Sequence, residues 1–221
     1  MDKFNFRTGD ILLYNTQKWY SKFIEYFLGQ NFSHMAIILK NPNEWLDPKL
    51  NEEEYYILES GIENFPDSIS GKIRCGVQIV PFSKIYSQYK YEGYGKLYYR
   101  KLKISTINSY SLQQNIKNAF LKIKDKPYDL NIFDWIIGYY ELDKNIDSNQ
   151  KLTNYYQKTS SFWCSALVSY IFVECKILDK NIAWTLVSPI DYVNWKKDID
   201  VNIRKLPLIN NCEFGKLHRL C

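Results

Sequence analysis

Thiol and imidazole side chains are the groups in this sequence best suited to nucleophilic catalysis. His34 stands near the start of the apolar run NFSHMAIIL, where a buried ring must find partners for both nitrogens. Cys164 stands in the first turn of a predicted helix, three residues after the candidate N-cap Ser161. A helix N-terminus carries roughly half a positive charge and unpaired N–H groups, so it stabilises a thiolate. Together these positions suggest a cysteine nucleophile and a histidine base.

A thiolate nucleophile needs a general base within hydrogen-bond reach, and that base needs an acceptor on its other nitrogen. The chain has only two histidines, and His218 lies in an expected C-terminal tail, which favours His34 as the base. The strand YYILES is expected to pair antiparallel with the His34 strand, so that Glu59 lies beside the imidazole. Three neighbours are near enough to take the accepting role instead, namely Ser60, Glu63 and Asn64.

A structural interpretation competes with this chemistry at each position. Cys164 shares an apolar helix face with Leu167, Ile171 and Cys175, and a free cysteine on such a face is usually a small core residue. Glu59 at the end of a strand is also where an ordinary solvated glutamate is found. The cysteine, the histidine and the glutamate therefore argue for catalysis only as a set.

The cysteines predict neither a disulfide framework nor a metal site. They are five in number, an odd count, and include no C-x-x-C pair. The tail CEFGKLHRLC holds three potential zinc ligands without a fourth, which are Cys212, His218 and Cys221.

Length and composition predict a single domain in a chain of 221 residues that is 46% hydrophobic and 24% charged. The net charge of +5 comes from dispersed lysines, so no nucleic-acid partner is expected, although contact with an anionic membrane surface is compatible with it. No run reaches the roughly 18 apolar residues of a membrane span, and the N-terminus lacks the layout of a signal peptide. We therefore expect an intracellular, cytoplasmic protein, whose oligomeric state the sequence does not indicate.

Hydrophobic periodicity predicts strands in the first half of the chain and helices in the second. The expected strands cover 9–15, 33–40, 55–60, 76–82 and 95–104, with an early helix in TQKWYSKFIEYFLG. The later helices are Ser111–Lys124 with a Ser111–Gln114 capping box, one in KPYDLNIFDWIIGYY, the cysteine helix capped by Ser160 or Ser161, and a short one at Ser188-Pro189. Strands followed by helices indicate an α+β protein.

Four segments in this order resemble the NlpC/P60 superfamily of papain-like enzymes: TGDILLYN, FSHMAIIL, YYILES and FWCSALVSYIF. The histidine precedes the cysteine, as in the circularly permuted branch, which includes permuted papain-like amidases, lecithin:retinol acyltransferase-like enzymes and poxvirus relatives. KPYD and SPIDY also look like family landmarks. The resemblance covers residues 8–195 and leaves 196–221 as a C-terminal extension of the single domain.

The resemblance implies a circularly permuted papain-like α+β fold, with an antiparallel sheet packed against the catalytic-cysteine helix. It implies a Cys164–His34–Glu59 triad that transfers acyl groups through a thioester, with the Cys164 N–H as an oxyanion donor and no metal or organic cofactor. The expected reaction is hydrolysis of peptide or isopeptide amides. A lipid acyltransferase, a phospholipase-like thiol enzyme and an inactive papain-like binding module are the alternatives. The poxvirus relatives make a viral source plausible, which would place the protein in host cytoplasm or a virion.

Overall fold

The chain is built around one antiparallel β-sheet. The computed structural model describes residues 4–16, 32–61, 65–129, 159–193 and 206–221. The strands within these ranges are β1 (Ile11–Thr16), β2 (His34–Lys40), β3 (Tyr55–Gly61), β4 (Gly76–Pro81), β5 (Gly95–Lys103) and β6 (Glu213–Arg219). They form a six-stranded sheet in the order β4-β3-β2-β1-β5-β6, and every neighbouring pair is antiparallel.

Three α-helices lie in the described residues: α1 (Phe82–Tyr91), α2 (Ser109–Ile123) and α3 (Cys164–Glu174). Short 3-10 turns cover Pro42–Glu44, Trp184–Leu186 and Pro189–Tyr192. The last of these is the short helix expected at Ser188-Pro189, and it carries a capping box in which the Asp191 carboxylate accepts from the N–H of Ser188. Helix α3 packs against strands β2 and β3.

Both faces of the sheet are buried, which explains why its central strands are almost continuously apolar. Alternate residues of β2 enter different clusters. Met35 and Ile37 pack with residues of α2 and α3, whereas Ala36 and Ile38 pack with residues of α1. Because side chains alternate along a strand, a polar side chain in β2 must lie on one of two covered faces.

The predicted helix starts differ from those in the structure. Asn108 caps α2, and its Oδ1 accepts from the N–H of Ser111 at 2.8 Å, so the predicted Ser111–Gln114 capping box is wrong. The N-cap residue of α3 is Trp163, without a side-chain cap, rather than Ser160 or Ser161. Cys164 is consequently the first residue of its helix and not the third, as a Ser161 cap would make it, and the N–H groups of this first turn have no partners within the helix.

The prediction of a circularly permuted papain-like α+β fold is wrong. The described part of the chain is mainly a six-stranded antiparallel sheet with few helices, and it does not show a papain-like placement. Helix α1 stands between β4 and β5, and β6 comes last, so strands and helices are not segregated along the chain. The motifs behind the prediction each indicate one local element, whereas strand number and order depend on long-range pairing that such motifs do not contain.

The predicted C-terminal extension contributes a strand to the sheet. β6 pairs with β5, and the buried Arg100 of β5 donates hydrogen bonds to the carbonyl oxygens of Gly215 at 2.7 Å and Phe214 at 3.0 Å. Its third acceptor is the carbonyl oxygen of Tyr192. Burial lowers the pKa of Arg100 to about 10. The Arg100 side chain thus joins β6 to the end of the 3-10 turn Pro189–Tyr192.

Several sequence predictions lie outside the described residues. They are the early helix in TQKWYSKFIEYFLG, the helix expected after KPYD and the loop ELDKNIDSNQKLTN. Among the helices that the structure describes, none has the length and apolar character needed to cross a bilayer.

Candidate active site

His34 and Glu59 lie on the same face of the sheet because of the register between β2 and β3. Ile37 is opposite Leu58, which places Glu59 opposite Ala36 and His34 opposite Gly61. The His34 Nε2–Glu59 Oε2 distance is 2.8 Å. Glu59 is fully buried, and the His34 side chain is 15% exposed. The predicted acceptor is therefore in hydrogen-bond contact with the predicted base, inside the protein.

Cys164 meets this pair from helix α3. Cys164 is 5% exposed, and the interaction of its side chain with the imidazole contributes to a raised pKa of His34. Because Nε2 is bound to Glu59, Nδ1 is the ring nitrogen left for the thiol. The structure thus brings the three predicted site residues together, in the order Cys164, His34, Glu59.

The segment before Cys164 is held in place by the strand that carries Glu59. Ser60 Oγ donates a hydrogen bond of 2.5 Å to the carbonyl oxygen of Phe162, which also accepts from the N–H of Asp129 at 3.2 Å. The N–H of Phe162 donates to the carbonyl oxygen of Pro127 at 3.0 Å. Ser60 is committed to this contact and does not serve as the acceptor for His34, while Glu63 and Asn64 lie outside the described residues.

Gly61 lies next to the His34–Glu59 pair. A Cβ on Gly61 would lie 3.5 Å from His34 Cε1 and 3.4 Å from Glu59 Oε1. These are ordinary contact distances, so a methyl group fits and a larger side chain would press on both partners.

The electrostatics of the site favour a protonated imidazole. Burial by itself lowers the pKa of His34, because it disfavours the charged ring. The negative charge of Cys164 is the largest opposing effect, followed by hydrogen bonds with Cys164 and Glu59 and by the charge of Glu59. Together they place the pKa of His34 well above its ordinary value of 6.5. The surroundings of His34 therefore favour its charged form.

Two residues at the site were missed in the sequence. Gln78 of β4 is directly opposite Glu59, and its Nε2 donates to Glu59 Oε1 at 2.9 Å. Tyr14 of β1 is opposite His34, and the two rings meet edge to face with centroids 4.8 Å apart. Gln78 is a lone polar residue in the apolar strand GVQIVP, which is the same signal that singles out His34.

The second histidine lies elsewhere. His218 is in β6, separated from β2 in the sheet by β5 and β1, and it stacks on Tyr99 with ring centroids 5.2 Å apart. Within the described residues, no group of three or more His, Cys, Asp or Glu side chains is arranged to hold a metal ion. The imidazole at Cys164 is thus supplied by His34.

Comparisons with known proteins add little to this description. No protein-family model and no curated protein matches the chain. Among solved structures, the chain is similar to the crystal structure of the metalloprotein yiiX from Escherichia coli O157:H7, DUF1105, at 15% sequence identity. The match covers 78% of this chain and 67% of that chain with a TM-score of 0.45. A likeness at this level carries no inference about the activity or ligands of this protein.

Proposed function

We propose that this protein is a cysteine-dependent acyl hydrolase that cleaves amide bonds, in peptides or isopeptides, through a thioester intermediate. The observation that carries the proposal is the buried contact series from Cys164 through His34 to Glu59, with 2.8 Å between the imidazole and the carboxylate. A nucleophile, a base and a group that orients the base are the parts that such chemistry requires.

Acylation begins with attack of the Cys164 thiolate on the carbonyl carbon of the scissile amide. The carbon–nitrogen bond then breaks as the His34 imidazolium gives its proton to the departing amine. A thioester on Cys164 and a free amine result, and His34 is left neutral. Glu59 stabilises the imidazolium before this step and keeps Nδ1 directed at the reacting atoms throughout.

Deacylation reverses the role of His34. The neutral imidazole takes a proton from water as the oxygen attacks the thioester carbonyl. The carbon–sulfur bond breaks, the carboxylic acid leaves, and the thiolate–imidazolium pair is restored. An alcohol or amine in place of water would make the same step an acyl transfer.

The Cys164 backbone is suited to stabilise the oxyanion formed in both steps. Cys164 is the first residue of α3, and the helical hydrogen-bond ladder starts later, with the N–H of Leu167 donating to the carbonyl oxygen of Trp163 at 3.0 Å. The Cys164 N–H thus points out of the helix end next to the sulfur, where a tetrahedral oxyanion would form.

An amide substrate is supported by the protonation state of His34. Amines are poor leaving groups unless they are protonated, so amide cleavage needs a general acid beside the nucleophile. The interactions with Cys164 and Glu59 raise the pKa of His34, which favours the protonated ring that such an acid requires. Esters of lipids need the acid less, and their turnover is one outcome of the test below.

A covalent adduct tests the mechanism directly. We expect p-nitrophenyl acetate to acetylate the peptide that contains Cys164, seen as one acetyl mass in a digest, and Cys164→Ala to remove that signal. Turnover of peptide, isopeptide and phospholipid substrates by the parent and by Cys164→Ala then identifies the acyl donor. Release by added amine or lysolipid, faster than by water and with the acyl group in the product, would make the protein an acyltransferase. Turnover that persists in Cys164→Ala would refute the proposal.

Selective alkylation separates an enzyme from an inactive binding module. Cys75 is exposed and Cys164 is buried, so reactivity governed by access alone would favour Cys75. We expect iodoacetamide at near-neutral pH to modify Cys164 faster, because an activated thiolate reacts far more readily than a thiol. Preferential modification of Cys75 would favour the binding module.

A further inference from the structure

We infer that Gln78 is a positioning residue that fixes the Glu59 carboxylate and, through it, the His34 ring. This inference rests on the proposed function, because it assigns Gln78 a part in the same reaction. Gln78 is not proposed to touch substrate. It would act through the hydrogen bond of 2.9 Å from its Nε2 to Glu59 Oε1.

Strand pairing places the amide where it can hold the carboxylate. Gln78 and Glu59 are directly opposite each other on β4 and β3, so their side chains lie on the same face. Glu59 is fully buried and Gln78 is 1% exposed. The contact between them is therefore shielded from water, where a hydrogen bond to a carboxylate is strongest.

The two oxygens of Glu59 have different partners. Oε1 accepts from Gln78, and Oε2 is bound to His34 Nε2. A carboxylate can rotate about its terminal torsion, which is broad and roughly two-fold. A donor held on Oε1 stops that rotation, so Oε2 stays aligned with the imidazole and Nδ1 stays aligned with the thiol.

The side-chain oxygen of Gln78, Oε1, indicates that this residue does more than fill space in the core. Gln78 Oε1 is buried and has no hydrogen-bond partner among the described residues. An unpaired buried oxygen costs free energy that an apolar side chain would avoid. Flipping the amide would not relieve this cost, because it would place Oε1 against the carboxylate of Glu59. The amide is therefore oriented by the negative charge that it holds.

Substitution of Gln78 by Met tests the inference, because Met has similar length and no donor. We expect kcat to fall by roughly tenfold to a hundredfold, as for other small losses of alignment, with little change in KM. Gln78→Asn serves as a second variant, in which the donor is kept but drawn back by one methylene, and its kcat should lie between that of Gln78→Met and the parent. A kcat in Gln78→Met equal to that of the parent would overturn the inference.

Gln78→Glu adds a readout that a structural role would not change. Two buried carboxyl groups at this distance would share one proton, so at low pH a protonated Glu at position 78 still donates to Glu59. As the pH rises and that proton leaves, the donor is lost and the two charges repel. Of the described groups, His34 is bound to Glu59, Cys164 and Tyr14 interact with His34, and the Asp67 carboxylate accepts from the N–H of Ile79, the residue after Gln78. We expect kcat relative to the parent to decrease as the pH rises.

A double-mutant cycle then separates positioning from folding. In a Glu59→Gln background, Gln78→Met should lower kcat by less than about twofold, because the carboxylate that it holds is gone. An undiminished loss in that background would mean that Gln78 acts on the fold and not through Glu59. The outcomes also distinguish the two proposals. Turnover independent of Cys164 refutes the proposed function, whereas Cys164-dependent turnover that is insensitive to Gln78 refutes only the inference made here.

Discussion

The two ends of helix α3 place the same side chain in opposite surroundings. Cys164 is the first residue of the helix and Cys175 follows its last residue. Both are buried, at 5% and 0% exposure. Cys164 interacts with the His34 imidazole, whereas burial and the neighbouring charge of Glu174 raise the pKa of Cys175 above its ordinary range.

The difference shows that two buried cysteines of one helix can have different electrostatic surroundings. A helix N-terminus stabilises an anion and a C-terminus destabilises one, because the backbone dipoles are aligned along the axis. At the N-terminus of α3, the His34 imidazole, whose pKa is raised, also favours a negative charge on Cys164. At the C-terminus, the carboxylate of Glu174 and the apolar surroundings both disfavour a negative charge on Cys175. In the proposed function, the sulfur of Cys164 attacks a carbonyl carbon, whereas the sulfur of Cys175 only fills space in the core.

The largest effect should come from replacing each sulfur by oxygen. We expect Cys164→Ser to lower turnover by about a thousandfold or more, because the site stabilises a thiolate and not an alkoxide. Cys175→Ser should keep turnover and lower the free energy of unfolding by about 1–3 kcal/mol, since it buries an extra hydroxyl. Steady-state kinetics and urea denaturation of both variants measure this. Equal turnover in the two variants would remove the distinction between the helix ends.

Removal of the imidazole should make Cys164 resemble Cys175. We expect His34→Ala to slow turnover by about a hundredfold or more, because general acid and base steps are typically worth that much. Alkylation of Cys164 by iodoacetamide should slow in the same variant, while Cys75 is unaffected and serves as the internal control. Unchanged alkylation of Cys164 would show that the helix N-terminus alone activates the sulfur.

Removal of the Glu59 charge should have a smaller effect and a distinct pH signature. The carboxylate raises the pKa of His34, so Glu59→Gln lowers that pKa. His34 acts as an acid in its protonated form, which is lost as the pH rises through its pKa. The alkaline limb of the kcat/KM profile should therefore move to lower pH, with kcat reduced by about tenfold or more. An alkaline limb at the same pH would assign the orienting role to another group.

The smallest effect is expected at the C-terminal end of α3. Glu174 forms a surface ion pair with Lys122 of α2 at 2.6 Å. We expect Glu174→Gln to lower the free energy of unfolding by less than about 1 kcal/mol, because exposed pairs contribute little. Turnover should not change, since Cys175 takes no part in it. A loss of turnover comparable to that of Glu59→Gln would contradict the assignment of the two ends.

Local elements were well predicted because local sequence determines them. The strand at 33–40 and the cysteine helix were expected from apolar runs of the right period and length, and both are present as β2 and α3. Helix starts were less well predicted. Asn108 and Trp163, and not the expected serines, precede α2 and α3, because several nearby residues can cap a helix and tertiary contacts choose among them.

Two elements of the sheet region were missed for a related reason. Helix α1 lies in FSKIYSQYKY, whose aromatic residues suit a strand equally well, and it is helical where it packs on β3, β4 and β5. β6 is rich in charged residues, so its sequence favoured a C-terminal tail and not a strand. It completes the sheet because β5 offers an open edge and Arg100 binds its carbonyl groups. The local sequence of α1 does not show the strands on which it packs, and the local sequence of β6 does not show the strand with which it pairs.

The sequence by itself determined which side chains are available for catalysis, because an unusual polar residue in an apolar run is visible without a structure. His34 was chosen in this way, Cys164 by its place in the first turn of a predicted helix and Glu59 by the expected pairing of its strand with that of His34, and their catalytic roles stay predictions. Only the tertiary structure decided the six-stranded sheet in place of the expected papain-like fold, and only it joined Gln78 to Glu59. Strand order and register set those contacts, and both result from pairing between distant segments that no single stretch of sequence encodes.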